Sequence, residues 1–151
     1  MRVIIYSTNC KQKNKLYYEQ LFATLTKGEV EYSVYYEIAS KLPELTKGVT
    51  SIQTHSDLRS YNPDVMITLG GDGTILSATG LIMGLSIPIL GINLGRLGFL
   101  ANIEQERIAS AVELLLAGNY TVHERFMIEL NTDNNLFGLE NFALNDFTLV
   151  K

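Results

Sequence analysis

The chain contains 151 residues with a formal net charge of −4, and 46% of its residues are hydrophobic. This composition excludes a disordered or low-complexity chain, and the acidic pI of about 5.1 argues against a protein that binds the phosphate backbone of nucleic acids. No apolar run approaches the roughly 18 residues of a membrane span, and the single cysteine, Cys10, can form no disulfide within the chain. We therefore expect a cytoplasmic α/β protein whose partners are neither nucleic acids nor membranes.

The N-terminal part of the chain alternates strand and helix signals. A β-branched run at residues 2–7 predicts a buried first strand, and the period of two across residues 30–37 predicts a second strand. Between them, helical spacing of apolar residues predicts a helix that follows Asn14 and stops at Gly28. Residues 42–61 carry the weakest pattern and predict only a short helix near their end.

Two strands that each end in a glycine-rich loop give the clearest pattern. Residues 64–69 predict a strand that runs into the loop Gly-Gly-Asp-Gly-Thr at residues 70–74, and helical spacing continues from there to Gly84. Residues 87–92 predict the next strand, and residues 93–100 form a second loop with the sequence Asn-Leu-Gly-Arg-Leu-Gly-Phe-Leu. This order of strands and helices predicts parallel pairing.

The pattern changes near residue 120. Before this point, Asn102 and Gln105 have the spacing of a capping box and predict the start of a helix that stops at Gly118. After it, residues 122–130 and 136–150 predict antiparallel strands with no helix between them. We therefore expect an α/β domain over residues 1–119 and the beginning of a second, β-rich domain over residues 120–151.

The two glycine-rich loops are the candidate ligand site. Loops at the carboxyl ends of neighbouring parallel strands line one crevice, and glycines let the backbone approach a phosphate closely. The carboxylate of Asp72 could orient or deprotonate a hydroxyl group, or it could bind a metal ion that is held by the phosphates. The alternative interpretation is that it only caps the following helix. The Walker A motif is absent, and Leu76 stands where the dinucleotide fingerprint needs its third glycine.

These motifs together resemble the NAD kinases. The resemblance rests on residues 69–74 (Leu-Gly-Gly-Asp-Gly-Thr), on residues 91–100 (Gly-Ile-Asn-Leu-Gly-Arg-Leu-Gly-Phe-Leu) and on the pair Asn145-Asp146. The first motif alone is also similar to those of lipid kinases and phosphofructokinases, whereas the second points to NAD kinase. The resemblance implies a parallel three-layer α/β domain of the NAD kinase/phosphofructokinase-like type, followed by a β-rich domain.

The resemblance also implies an activity. An NAD kinase phosphorylates the 2′-hydroxyl of the adenosine ribose of NAD to give NADP, with ATP or an inorganic polyphosphate as donor and a divalent cation such as Mg²⁺. We further expect a homo-oligomer, either a dimer or a tetramer. The alternatives are a lipid or sugar kinase with the same first motif, or a non-catalytic nucleotide-binding module. Because most of the family's second domain would follow Lys151, we expect this chain by itself to be an inactive piece of the enzyme.

The resemblance assigns roles to individual residues. Asp72 is the catalytic residue that orients or deprotonates the ribose hydroxyl, and no metal ligand is assigned. The other residues contact NAD or the phosphates: Gly71, Gly73 and Thr74 in the first loop, Arg96 on the phosphate side and Phe99 at the edge of the second loop, and Asn145 and Asp146 at the adenosine and its ribose.

Overall fold

The computed structural model describes residues 1–131 and 141–144. The chain divides into two compact units, Met1–Tyr120 and Thr121–Lys151. In the described residues, no helix is both long enough and apolar enough to cross a membrane.

The first unit is built on a six-stranded sheet whose neighbouring strands are all parallel. Its strands are β1 (Arg2–Tyr6), β2 (Glu31–Tyr35), β3 (Ser51–Ile52), β4 (Val65–Gly70), β5 (Ile89–Asn93) and β6 (Ile103–Glu104). Their spatial order is β3-β2-β1-β4-β5-β6, so the winding direction reverses between β1 and β4. This order is that of a doubly wound sheet with a topological switch point.

Helices cover both faces of this sheet. They are α1 (Lys15–Lys27), α2 (Tyr36–Lys41), α3 (His55–Tyr61), α4 (Asp72–Leu81) and α5 (Ile108–Leu116). Alternate residues of β1 divide the core. Val3 and Ile5 pack in the cluster that contains buried residues of α1 and α5, while Ile4 and Tyr6 pack in the cluster that contains Leu58 and Ala78 of α3 and α4. The predicted three-layer parallel α/β fold is confirmed.

The predicted second strand is wrong at its C-terminal end. Its alternation suggested a strand through residue 37, but the chain leaves the sheet after Tyr35 and Tyr36 begins α2. Ile38 and Leu42 lie four residues apart and are both buried in the core. This spacing matches one face of a helix, so burial of these two side chains competes with continued strand pairing.

The predicted capping box is also wrong. Asn102 precedes the edge strand β6, and α5 begins only at Ile108, after a 3₁₀ turn over Gln105–Arg107. The register pairs Glu104 with Asn93 of β5. Backbone pairing at the sheet edge thus occupies residues that the local pattern assigned to a helix start.

The described part of the second unit contains an antiparallel strand pair, as predicted. β7 (Met127–Glu129) pairs with β8 (Phe142–Leu144). β7 is shorter than the strand predicted over residues 122–130. Residues 136–140 and 145–150 of the other predicted strand lie outside the described residues.

A buried serine joins the two strands at the switch point. The Ser7 hydroxyl donates to the carbonyl oxygen of Leu69 at 2.7 Å and accepts from the Tyr18 hydroxyl at 2.8 Å. Ser33 of β2 is also buried, but its hydroxyl has no hydrogen-bond partner among the described residues. The two serines therefore form a matched pair for measuring what the Ser7 bonds contribute.

We expect Ser7→Ala to lower the free energy of unfolding by about 1–3 kcal/mol, because it removes the side-chain donor to the Leu69 carbonyl and leaves the Tyr18 hydroxyl with only the weak acceptor Cys10 Sγ at 3.4 Å. Ser33→Ala should be neutral or stabilising, since it removes an unpaired buried hydroxyl. Urea unfolding of both variants checks this difference. Equal losses in the two variants would contradict the role given to Ser7.

Candidate active site

The two glycine-rich loops lie side by side at the carboxyl ends of β4 and β5. The register pairs Gly70 with Asn93, and the Leu94 N–H donates to the Gly70 carbonyl at 3.2 Å. The prediction that these loops share one edge of the sheet is therefore confirmed. The arrangement follows from parallel pairing, which brings the loops after neighbouring strands to the same edge.

The first loop turns tightly from β4 into α4. A Cβ added to Gly70 would lie 2.8 Å from the Thr74 Cβ and overlap the Thr74 hydroxyl, so this position requires glycine. Gly71 is the N-cap of α4, and a Cβ there or at Gly73 would meet open space. Thr74 is buried beneath the turn, whereas Gly71 and Gly73 are exposed at its surface.

Asp72 binds the second loop. Asp72 is the first residue of α4, and the N-cap of this helix is Gly71. Because the Asp72 carboxylate makes no capping hydrogen bond, the capping interpretation is wrong. Its Oδ2 accepts the Phe99 N–H at 2.8 Å, and its Oδ1 accepts the N–H groups of Leu100 at 3.0 Å and Ala101 at 2.9 Å. An ionised carboxylate offers about four acceptor positions. Three are used here, and the fourth lies on Oδ2.

These bonds change the acidity of Asp72. Donation from the backbone N–H of Ala101, opposed by desolvation and reinforced by the N–H groups of Phe99 and Leu100, holds the pKa of Asp72 below its ordinary value. The carboxylate is therefore ionised at neutral pH. A carboxylate of lowered pKa accepts a hydrogen bond readily but is a weak base.

Asn93 closes the second loop from inside, and sequence reasoning missed it. Its side-chain amide donates to the carbonyl oxygens of Arg96 at 2.8 Å and Ala101 at 3.2 Å. Its Oδ1 accepts the Gly95 N–H at 2.7 Å. The side chain is buried. The available signal was a polar residue directly after an apolar strand, where a loop needs partners for its backbone groups.

The loop after β1 is a second feature that sequence reasoning missed. β1 and β4 flank the switch point, where ligands bind in doubly wound sheets. The Ser7 bond to Leu69 holds the ends of these strands together. Thr8 and Asn9 follow Ser7 and are exposed. Only the strand order reveals that this loop lies next to β4.

The other predicted site residues differ in their surroundings. Arg96 is exposed, and the Phe99 side chain is 94% exposed. Asn145 and Asp146 lie outside the described residues. No group of three or more His, Cys, Asp or Glu side chains in residues 1–131 and 141–144 could hold a metal ion. The described residues therefore do not fit a metal site in which the protein supplies all of the ligands.

The lowered pKa predicts a pH-dependent contribution of Asp72 to stability. This contribution is fully present above the ordinary pKa that Asp72 has in the unfolded chain, and it is lost as pH falls through the lower folded pKa. We expect the difference in unfolding free energy between the wild type and Asp72→Asn to be constant from pH 7 to about 5 and to narrow below that. Urea unfolding across this range measures it. A difference of equal size at pH 7 and pH 3 would contradict the assignment.

Comparison with known proteins identifies the family. The family model described as the ATP-NAD kinase N-terminal domain matches residues 4–120. An NAD kinase of Cytophaga hutchinsonii is 37% identical over 145 residues, which cover 93% of this chain and 49% of that protein. An NAD kinase of Flavobacterium psychrophilum is 32% identical over 155 residues, which cover 99% of this chain and 52% of that protein.

A solved structure shares the fold. Yeast NADH kinase, determined in complex with NADH, matches with a TM-score of 0.70 at 20% identity, over 85% of this chain and 41% of that chain. The chain thus spans about half the length of the curated relatives that it matches. Both loops of the candidate site fall within residues 4–120, which the family model covers. The chain therefore belongs to the NAD kinase family.

Proposed function

We propose that the gene product containing this chain phosphorylates NAD on the 2′-hydroxyl of its adenosine ribose, with ATP or polyphosphate as donor, to give NADP. Family membership supports the reaction class. The observation that carries the assignment to this site is the Asp72 carboxylate. It is fixed by three backbone N–H groups and keeps one acceptor position on Oδ2.

In this proposal, Asp72 orients the nucleophile. The ribose hydroxyl donates a hydrogen bond to Oδ2, which turns an oxygen lone pair toward the donor phosphorus. The new O–P bond forms as the bond between the γ-phosphorus and the bridging oxygen of the leaving ADP breaks, and the hydroxyl proton passes to Oδ2 late in the transfer and from there to water. Positioning supplies most of the catalysis in phosphoryl transfer, so a carboxylate of lowered pKa suits this role better than that of a strong base.

The remaining site residues would bind the two substrates. Gly71 and Gly73 leave open space beside the start of α4, where backbone N–H groups and the helix dipole favour phosphate. We assign Arg96 to the phosphate side and the exposed Phe99 ring to the edge of the NAD site. The family resemblance predicts that Thr74 contacts NAD or the phosphates, but its side chain is buried beneath the turn, so we propose that it supports the phosphate loop from beneath. Asn145 and Asp146 are proposed to contact the adenosine and its ribose.

A divalent cation, Mg²⁺ by preference, would enter on the phosphates of the donor. The described residues form no metal cluster of their own, and Mg²⁺ in such sites is often held by substrate phosphates and water with few protein ligands. The chemistry that it supplies is neutralisation of phosphate charge. The phosphoryl donor is predicted to be either ATP or polyphosphate. The homo-oligomeric state and the cytoplasmic location also stay predictions.

Assays of the gene product test the proposal. NAD, diacylglycerol and fructose 6-phosphate are offered as acceptors, each with ATP and with polyphosphate, in the presence of Mg²⁺. We expect phosphorylation of NAD at the 2′ position and none of the other two acceptors. Preferred phosphorylation of the lipid or the sugar would replace this proposal with one of the alternative kinases. Binding of ATP without transfer to any acceptor would indicate a nucleotide-binding module.

A further inference from the structure

We infer that Asp72 is also the positioning residue of the second loop: its carboxylate holds residues 98–101 against α4, and position 98 is glycine because that carboxylate occupies the adjacent space. The geometry of this clamp, defined as the Asp72 carboxylate with the N–H groups of Phe99, Leu100 and Ala101, is independent of the proposed function. Its consequence for phosphorylation rests on that function.

The clamp consists of three consecutive backbone N–H groups that donate to one carboxylate. Successive N–H groups that converge on one carboxylate require the backbone of the loop to curl around it, and the three N–O distances lie between 2.8 and 3.0 Å. Hydrogen bonds to a charged acceptor are roughly twice as strong as neutral ones. The carboxylate therefore fixes the loop at three adjacent residues.

The glycine at position 98 is required by lack of room for a side chain and not by its backbone conformation. Its φ is not among the positive values of the chain, so an L residue could adopt its backbone angles. A Cβ at this position, however, would lie 2.5 Å from the Asp72 Cγ and overlap its carboxylate oxygens. A side chain here would force the loop and the carboxylate apart. Gly95, in the same loop, has only the Asn93 Oδ1 near its Cβ position, at an ordinary 3.8 Å.

The clamp determines where Phe99 lies. The Phe99 side chain is 94% exposed, so packing contributes almost nothing to its placement within the first unit. Its N–H bond to Asp72 Oδ2 fixes its backbone directly. If Phe99 borders the NAD site as proposed, Asp72 acts on NAD through this residue as well as through the ribose hydroxyl.

Amide hydrogen exchange by NMR on the 151-residue chain tests the clamp without any activity measurement. In Asp72→Asn, the side-chain oxygen can still face Leu100 and Ala101, while its NH₂ group faces the Phe99 N–H. We expect the Phe99 amide to exchange about tenfold faster or more. Gly98→Ala should accelerate all three amides, and the matched control Gly95→Ala should change none of them. Unchanged exchange of the Phe99 amide in Asp72→Asn, or equal effects of the two alanine variants, would overturn the inference.

Kinetics of the gene product test the consequence. Gly98→Ala keeps the carboxylate but displaces the loop, and we expect it to lower kcat/KM for NAD by about a hundredfold. If the three amides exchange faster in Gly98→Ala but its kcat/KM stays within threefold of the wild type, the positioning role is overturned and the proposed function remains intact. Failure of the wild type to form NADP would count against the proposed function alone, since the exchange data decide the clamp.

Discussion

Replacement of Asp72 by Asn should lower kcat for NADP formation by at least about a hundredfold in the gene product, the usual size of a lost acid–base or orienting group. In the proposed site, the substitution removes the negative charge beside the ribose hydroxyl. It also places an NH₂ group where the carboxylate accepts the Phe99 N–H. Both changes disturb the geometry of the nucleophile, which is the main source of rate in this reaction.

The fold should survive this substitution. The N-cap of α4 is Gly71, so the helix start does not depend on the Asp72 side chain. Circular dichroism and a thermal melt check that the variant is folded, and calorimetric titration with NAD checks that binding weakens by less than about tenfold, a small share of the expected loss in rate.

Asp57→Asn is the matched control. Asp57 also accepts backbone N–H groups, from Gln53 and Thr54, and its pKa is lowered mainly by the bond from Thr54. It lies in α3, outside the two loops. We expect its kcat to equal that of the wild type. Retention of more than about a tenth of kcat by Asp72→Asn would rule out an orienting or base role of the usual size.

Residues 1–151 by themselves should form no NADP. The chain spans 49% of the Cytophaga hutchinsonii NAD kinase and 52% of the Flavobacterium psychrophilum enzyme. The described strands of the second unit, β7 and β8, have three residues each, and an isolated two-stranded hairpin is marginally stable in water. The proposed adenosine contacts, Asn145 and Asp146, belong to this second unit.

The physical reason is the loss of positioning. Phosphoryl transfer needs the hydroxyl oxygen within roughly 3–3.5 Å of the phosphorus, and that proximity accounts for much of the rate. In the proposed mechanism, the first loop can orient the ribose hydroxyl only when the rest of NAD is held. The purified chain is assayed with NAD, ATP and Mg²⁺ beside the Cytophaga hutchinsonii enzyme as positive control. NADP formation by the chain at a rate comparable to the control would contradict this expectation.

Local pattern in the sequence was sufficient for several elements of the first unit. A nearly continuous apolar run before a glycine-rich turn, interrupted only by the buried Thr68, identifies β4 and the start of α4, because a strand buried on both faces has few polar positions. The same reasoning located β5 and its loop to within two residues. Two such strands in sequence predict parallel pairing, and therefore that both loops lie at one edge.

Other elements depended on contacts that local pattern does not encode. Tyr36 continues the alternation of β2, yet it begins α2 because Ile38 and Leu42 are buried together. The pair Asn102 and Gln105 has helix-start spacing, yet pairing of β6 with β5 prevails. In both cases, tertiary burial or pairing outweighs a local preference of about 1 kcal/mol or less.

The sequence by itself determined the fold class, the family resemblance and the two loops, because each depends on short local patterns and on their order along the chain. Only the tertiary structure decided what the loops do to each other. The donors to Asp72 lie 27 to 29 residues away, and the strand order that brings the β1 loop to β4 is set by pairing across the whole sheet. In the sequence, Gly98 looks like an ordinary turn glycine. The tertiary structure shows that a Cβ at this position would overlap the Asp72 carboxylate, and such a steric requirement cannot be read from neighbouring residues in the chain.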